Sequence, residues 1–523
     1  MVRQNYLLRV KAFDLYLIIV SLLGVAIIYI STSTYGPGVS GDSVRYLSAA
    51  QNLIQGVGFY DYSLSPILAW PPLYPVVLSL LSQITRDVFV AGWVLNIILF
   101  GLTVYLTGRI VETVIPNQLT YAYLSSLAVL VSPSLIRLYS TVAADPLFIV
   151  LTLLFLYQSM FYLKVGQFSI LLLMGILASL AGLVKYPGLV LSITGSVLAL
   201  AYHIRLQKWH MGLLIGSGFL FLSALPLSIW VVFHNYLQHG SYFGDRGYAE
   251  IWGNIYITVE KMFYWFIPYS IIKLIGLYWL VLFFFSIAFI FIRPLSWRLW
   301  FRRMLEDEVL PILLFALFYT LTLIFLVSYA EHKDFREDRL HIIMLFPVLN
   351  FIAIAFNTLE LRWGQRLLQY LVPGVMVVLF FVWLLFPVYN TYKYIMQSLV
   401  YGDVSNNLYN TKPLRESKIV SYLRSNYFAP DDVLYSNHEG AAWFYTRHNV
   451  FGMPQGDRAK EEDQNVGEVI EEYRDWPPRP GYVIWFDLNF KRHVLNPKDL
   501  TPLATVAPLF QSTDGDLFWV TPK

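Results

Sequence analysis

The chain has 523 residues, 57% of them hydrophobic, 17% aromatic and only 14% charged, more apolar surface than one soluble core can bury, so lipid must solvate much of it. The net charge of +3 is small and spread out, and no basic run is interleaved with aromatics, which excludes a nucleic-acid partner. Cysteine is absent, which excludes disulfides, thiol nucleophiles and thiolate-bound metals and leaves chemistry to carboxylates, histidines and basic side chains.

Arg3, Arg9 and Lys11 precede an apolar run from about 13 to 30 that can span a bilayer and lacks a small-residue cleavage site, so it reads as a retained first span. Runs of similar length follow at about 88–108, 119–136, 146–163, 167–184, 187–204, 211–233, 270–292, 309–329, 340–357 and 367–388, predicting about eleven spans. Alternate short connectors hold Arg109, Lys164, Arg205, Lys208, Arg293, Arg298, Arg302, Arg303, Arg362 and Arg366. Because Lys and Arg resist translocation, this predicts a multi-pass protein of the cell membrane with a cytoplasmic N-terminus and everything beyond Tyr389 outside. The expected fold is mainly α: a transmembrane helical bundle over 1–390 and a small extracytoplasmic α/β domain over 391–523.

The first outer loop, 31–87, is too long and too patterned for a connector. Val44, Leu47, Ala50 and Ile54 recur at helical spacing before Gly56 and Gly58, predicting an amphipathic helix lying on the membrane surface. Pro66, Pro71, Pro72 and Pro75 then interrupt the chain before a short apolar run to about Ile84, which predicts interfacial helices and no span. In the C-terminal domain a helix is expected near 414–425, with strands at 432–435, 482–486 and 517–520.

Ionisable residues cluster at the predicted outer helix ends: Asp42, Asp145, Lys185, Asp245, Arg246 and the run from Glu331 to Arg339. Asp42 or Ser43 could simply cap the amphipathic helix; in chemical terms Asp42 suits a general base acting on an acceptor hydroxyl. Asp145, before Pro146, is a helix-start signal on the same face as Asp42, and two carboxylates in one cleft can orient an acceptor or hold a divalent cation. Such a cation would need Asp42, Asp145 or an outer-loop histidine such as His332. Lys185 and Arg339 either snorkel or bind a phosphate at headgroup depth, with Arg246 a weaker third.

The order Asp42, Tyr46, Ala49, Ala50, Leu53, Gly56, Gly58 and then Trp70 to Pro75, after one span, resembles the GT-C superfamily of polyprenyl-phosphate-sugar-dependent glycosyltransferases, especially its protein-mannosyltransferase-like and aminoarabinose-transferase-like members. Asp145 with Pro146 resembles the second acidic position of that family, Lys185 to Gly188 its lysine motif, and Arg339 with Pro347 its late Arg/Pro motif. The likeness implies an inverting transfer of a sugar from a polyprenyl-phosphate donor to a lipid, glycan or protein acceptor. Asp42 would be the base, Asp145 would hold the site, Lys185, Arg339 and Arg246 would receive the donor phosphate, and Tyr46, Tyr74 and Tyr186 would line the substrate. Ser43 stands where many members have Glu, and His234 before Asn235 where many have Arg. A transporter or flippase, predicting ionisable residues at the bilayer midplane, is the rival reading; a non-catalytic scaffold leaves the loop and its charges unexplained.

Overall fold

The computed structural model describes residues 2–116, 118–242, 251–282, 294–326, 337–358, 365–402, 409–456, 466–487 and 494–523. The apolar runs become helices because in lipid each backbone N–H and C=O must be satisfied within its own segment. α1 (Val2–Ser31) leads into the loop bearing α2 (Gly41–Ile54) and α3 (Leu73–Thr85). The bundle continues through α4 (Val88–Val114), α5 (Leu119–Leu130), α6 (Pro133–Tyr139), α7 (Asp145–Val165) and α8 (Phe168–Val184). After these come α9 (Leu189–Arg205), α10 (Trp209–Ile229) and α11 (Ile251–Tyr264), then helices Leu310–Leu321, Leu345–Asn357 and Gln365–Tyr401.

Among the described residues seven helices are long and apolar enough to cross a membrane, eight if α5 and α6, which meet at 55°, form one span. Shorter apolar helices, Phe168–Val184 and Leu310–Phe325, match two more of the predicted runs. The run expected at 270–292 opens as helix Tyr269–Ile275 and then passes into 283–293, outside the described residues. The chain is a multi-pass membrane protein.

Small residues and prolines shape the bundle. A Cβ on Gly108 would stand 2.4 Å from Leu17 Cδ2, and one on Gly101 2.8 Å from Val25 Cγ2, so glycine lets α4 approach α1 closely. Pro226 inside α10 removes a backbone donor, and the helix runs on as a π-helix, Trp230–Leu237. At one end of the bundle Arg109 pairs with Asp14 at 3.0 Å and Glu112 at 2.8 Å, and Lys164 with Glu308 at 2.9 Å. Arg205 pairs there with Asp307 and Arg303 with Glu306, while Arg303 also donates to the Val114 carbonyl at 2.6 Å. These are basic residues of the predicted cytoplasmic connectors. Asp42, Asp145, Lys185 and Arg339 lie at the other end.

The C-terminal region carries a five-stranded sheet ordered β2-β1-β3-β5-β4, from β1 (Leu434–Ser436), β2 (Val450–Gly452), β3 (Gly481–Phe486), β4 (Ala504–Gln511) and β5 (Gly515–Pro522). β1 runs parallel to β2 and β3, with Leu434 opposite Val450 and Tyr482, whereas β5 is antiparallel to β3 and β4. Helices Lys418–Ser425 and Glu439–Thr446 pack against it. Three of these strands coincide with the predicted ones; β2 and β4 are additions.

This region is bonded to the first loop. Asn410 Nδ2 donates to the carbonyls of Tyr35 at 2.5 Å and Pro37 at 2.9 Å, and the Tyr409 N–H to that of Val39 at 2.8 Å. The Val450 N–H donates to the Tyr62 carbonyl at 2.9 Å, and Gln51 Nε2, on α2, to the Arg447 carbonyl at 3.1 Å.

Candidate active site

α2 starts with a capping box in which Ser40 Oγ accepts the Ser43 N–H and Ser43 Oγ accepts the Ser40 N–H. Ser43 Oγ also donates to the Val142 carbonyl at 2.6 Å. Ser43 thus serves the cap and the Asp42 carboxylate is released from it, which corrects the reading of Asp42 as a capping residue. The bond to Val142, with Gly38 bridging Thr141 in parallel, draws the start of α2 beside the start of α7.

Asp145 occupies the first turn of α7 and is 5% exposed. Its Oδ1 accepts from Lys185 Nζ at 2.5 Å, the two side chains being 7% and 16% exposed. Lys185 ends α8 in extended conformation before the turn Tyr186–Gly188, and a Cβ on Gly188 would sit 2.3 Å from the Ala181 carbonyl. Glycine there lets the turn fold back on α8 and aim Lys185 at α7.

Arg339 Nη1 donates to Asp42 Oδ2 at 2.5 Å, with side chains 29% and 22% exposed, and Arg339 also pairs with Glu337. The short helix bearing Arg339 is held by three bonds: Tyr319 donates to the Leu340 carbonyl at 2.9 Å, Trp265 Nε1 donates to Asp338 Oδ1 at 3.0 Å, and the Thr258 hydroxyl and His341 Nε2 share a bond of 3.3 Å. Asp42 and Asp145 thus stand at the starts of two helices that the Ser43–Val142 bond and the Gly38–Thr141 bridge hold side by side, so the two ion pairs are neighbours.

The predicted tyrosines are packed against or bonded to residues of the first loop. Tyr46 and Tyr74 are buried, and the Tyr46 ring meets Trp70 at 5.9 Å and Tyr74 at 5.1 Å, edge to face. Burial, and then the fields of Asp42 and Asp145, push the Tyr46 hydroxyl well above its ordinary range. Tyr186 donates to the Leu68 carbonyl at 2.6 Å and accepts from Asn235 Nδ2 at 3.0 Å. Asn235 is buried and donates to the Tyr242 carbonyl as well, at 2.6 Å, so the segment between His234 and Tyr242 anchors the first loop.

Arg246, Asp245 and His332 lie outside the described residues. Among the described residues no three His, Asp or Glu side chains converge as a metal ion would require. Sequence reasoning missed Arg45, one helical turn beyond Asp42, although that spacing signals a shared face. Chemically the cluster offers a partly open carboxylate, a deeper one, and a cation paired with each.

No protein-family model matches the chain, and no curated protein does. Several solved structures are similar to it in fold. ArnT, the aminoarabinose transferase from Cupriavidus metallidurans, in the apo state gives a TM-score of 0.59 at 12% identity, covering 98% of each chain. The same protein bound to undecaprenyl phosphate gives 0.61 at 12% identity over 96% of this chain and 98% of that one. The archaeal oligosaccharyltransferase AglB from Archaeoglobus fulgidus, in complex with an inhibitory peptide and a dolichol-phosphate, gives 0.52 at 12% identity over 98% of this chain and 74% of that one. A mainly helical multi-pass bundle with a small C-terminal sheet, matched to these structures over nearly the whole of this chain, is the GT-C fold.

Proposed function

We propose that the chain is an inverting glycosyltransferase that moves a sugar from a polyprenyl-phosphate donor to an acceptor on the extracytoplasmic side. The N-terminus would face the cytoplasm and the region from 391 on the outside. One observation carries the reading: Asp42, Asp145, Lys185 and Arg339, far apart in sequence, meet at one end of the bundle as two linked acid–base pairs. The undecaprenyl phosphate of ArnT and the dolichol-phosphate of AglB support a polyprenyl-phosphate donor.

In the state described, both cations are engaged by carboxylates. An arriving donor phosphodiester competes for Arg339 and Lys185, since its two non-bridging oxygens can engage both cations, and the third free oxygen and second charge that appear as the sugar is transferred strengthen those bonds. Loss of Arg339 frees Asp42 Oδ2. The acceptor oxygen then attacks the anomeric carbon from the face opposite the phosphate, its proton passes to Asp42, and the bond from that carbon to phosphate oxygen breaks. The polyprenyl phosphate leaves with its new charge held by Arg339 and Lys185. Asp145 keeps Lys185 oriented while the tail exits to lipid. A divalent cation, if the enzyme uses one, would draw on Asp42, Asp145 or His332.

The test is transfer from labelled polyprenyl-phosphate sugars in membranes carrying wild type or Asp42→Asn. Transfer should fall by about 100-fold or more in a variant that still inserts. Undiminished transfer removes Asp42 as the base, and no transfer by wild type from any donor removes the glycosyltransferase reading.

A further inference from the structure

A cavity of about 40 Å³ lies where α5 bends into α6, between helices Leu345–Asn357 and Gln365–Tyr401 and the turn that follows α11. Trp265, Phe266, Trp383, Phe386 and Leu345 supply its apolar wall, and Arg137 supplies a cation. None of the four residues of the acid–base cluster lines it. On the same measure a water molecule fills about 10–15 Å³, so the space takes about three groups of methyl size, a piece of hydrocarbon chain and not a sugar ring or a headgroup.

Arg137 gives the cavity its second property. It is exposed on α6, with its guanidinium carbon 5.5 Å from the centre of the Tyr394 ring, and among the described residues no carboxylate pairs with it. Arg109, Arg205 and Arg303, at the opposite end of the bundle, are all paired. Since α6 leads directly into α7, whose first residue is Asp145, Arg137 stands at the cluster's end of the bundle, at headgroup depth. Beside it the helix Gln365–Tyr401 exposes Leu385, Val388 and Tyr389, a surface that suits acyl chains. A cation over an aromatic cavity at the rim of a lipid-facing surface is complementary to a lipid with an anionic head. The donor phosphate has Arg339 and Lys185, so Arg137 marks a separate anion position.

The cavity wall is also tied to the cluster. Trp265 Nε1 donates to Asp338 Oδ1 at 3.0 Å, and Asp338 immediately precedes Arg339; Trp383 Nε1 fixes the same turn by donating to the Phe266 carbonyl at 2.9 Å. A chain segment packed in the cavity restores contacts that the void forgoes and steadies Trp265. We propose that Arg137 and this cavity bind an anionic bilayer phospholipid, its phosphate on the guanidinium and an acyl segment among the rings, and that the seated lipid braces the segment bearing Arg339. The bracing rests on Arg339 receiving the donor phosphate; the lipid site does not.

The test uses the full chain in detergent, stripped of lipid and given phosphatidylglycerol or phosphatidylcholine with identical chains. Bound lipid is counted by native mass spectrometry, melting is followed in parallel, and undecaprenyl phosphate affinity is measured in nanodiscs of each lipid. Wild type should prefer phosphatidylglycerol by about tenfold and melt about 2–4 °C higher with it, because the choline ammonium offsets the attraction to Arg137. Arg137→Gln should lose the preference, and Arg137→Lys should keep most of it, since a single phosphate accepts a point charge. Ala128→Leu, which fills part of the cavity from α5, should weaken phosphatidylglycerol binding with the charge intact. In wild type phosphatidylglycerol should tighten undecaprenyl phosphate binding about fivefold; Trp265→Phe should bind the phospholipid and lose that coupling. Equal binding of the two phospholipids, or binding indifferent to Arg137 and Ala128, overturns the site, as does displacement of phosphatidylglycerol by equimolar undecaprenyl phosphate, which would give the cavity to the donor's chain. Undecaprenyl phosphate affinity equal in both bilayers overturns the bracing. Failure of wild type to bind undecaprenyl phosphate in either bilayer overturns the donor reading instead, with the phospholipid site decided by its own binding.

Discussion

At the scale of residues the two ion pairs have different weights. Asp145 and Lys185 are both largely buried, so removing one partner strands a charge in a poorly solvated place, a cost of about 3 kcal/mol or more. Asp42 and Arg339 keep a quarter or so of their side-chain surface exposed, and breaking that pair costs about 1 kcal/mol or less. Lys185→Met should therefore lower the melting temperature of the purified protein clearly, Arg339→Gln barely, and both should abolish use of the donor. Replacing the deeper pair together, Lys185→Met with Asp145→Leu, should recover the stability without the activity; an equally unstable double variant would mean that the pair matters for more than mutual neutralisation. These four residues were legible in the sequence because each sits at a helix end marked by its neighbours, Asp145 by Pro146 and Lys185 by Pro187 and Gly188. Helix Glu439–Thr446 carried no such mark. It meets α2 through the bond from Gln51 to the Arg447 carbonyl, which exists only after segments 396 positions apart are packed together, a relation that no local pattern encodes.

Among the elements, the short turn after α8 and the capped helix of the C-terminal region are the most testable. Gly188→Ala forces a Cβ against the Ala181 backbone, which cannot swing aside as a side chain could, and should cost about 1–3 kcal/mol and misdirect Lys185. A melt unchanged from wild type, with full activity, would show that the turn relaxes freely. Helix Lys418–Ser425 has Asp514 at its start, accepting the Lys418 N–H at 2.8 Å and the Ile419 N–H at 3.1 Å. Burial opposes ionisation there, but those bonds and the Ser512 hydroxyl hold the Asp514 carboxyl below its usual range. Its contribution is therefore complete above the ordinary carboxylate pKa and disappears as pH falls through the lower folded value. Asp514→Asn should weaken protection of that helix from hydrogen exchange by about 0.5–1 kcal/mol at neutral pH, a difference that closes below about pH 4. The long apolar helices were readable because twenty apolar residues in a row have no other use. β2 was not, having three residues, and β4 was obscured by Pro508 and by a register shift between Pro508 and Phe510 that breaks alternation.

For the molecule as a whole, the proposed orientation can be measured without background because the chain has no cysteine. Ser63→Cys and Ser425→Cys should react with a membrane-impermeant maleimide applied to the outer face, and Lys208→Cys only after permeabilisation. The reverse pattern would invert the topology and put the cluster on the cytoplasmic side. The fold and one end of the site were visible from charge placement, whereas the docking of the C-terminal region on the first loop was not, since each of the bonds described ends on a main-chain carbonyl, a group that leaves no trace in composition.

That docking has a bearing on biogenesis. The carbonyls of Tyr35 and Pro37 wait for Asn410, which lies 375 and 373 positions further along the chain, so the loop ahead of Asp42 gains its last fastenings only when synthesis is nearly complete. Folding that depends on such distant partners is slow and late. A nascent chain paused just after α8 carries Asp42, Asp145 and Lys185 before either Arg339 or the Asn410 fastenings of the loop have been made, so the charged cluster can be completed only late in synthesis.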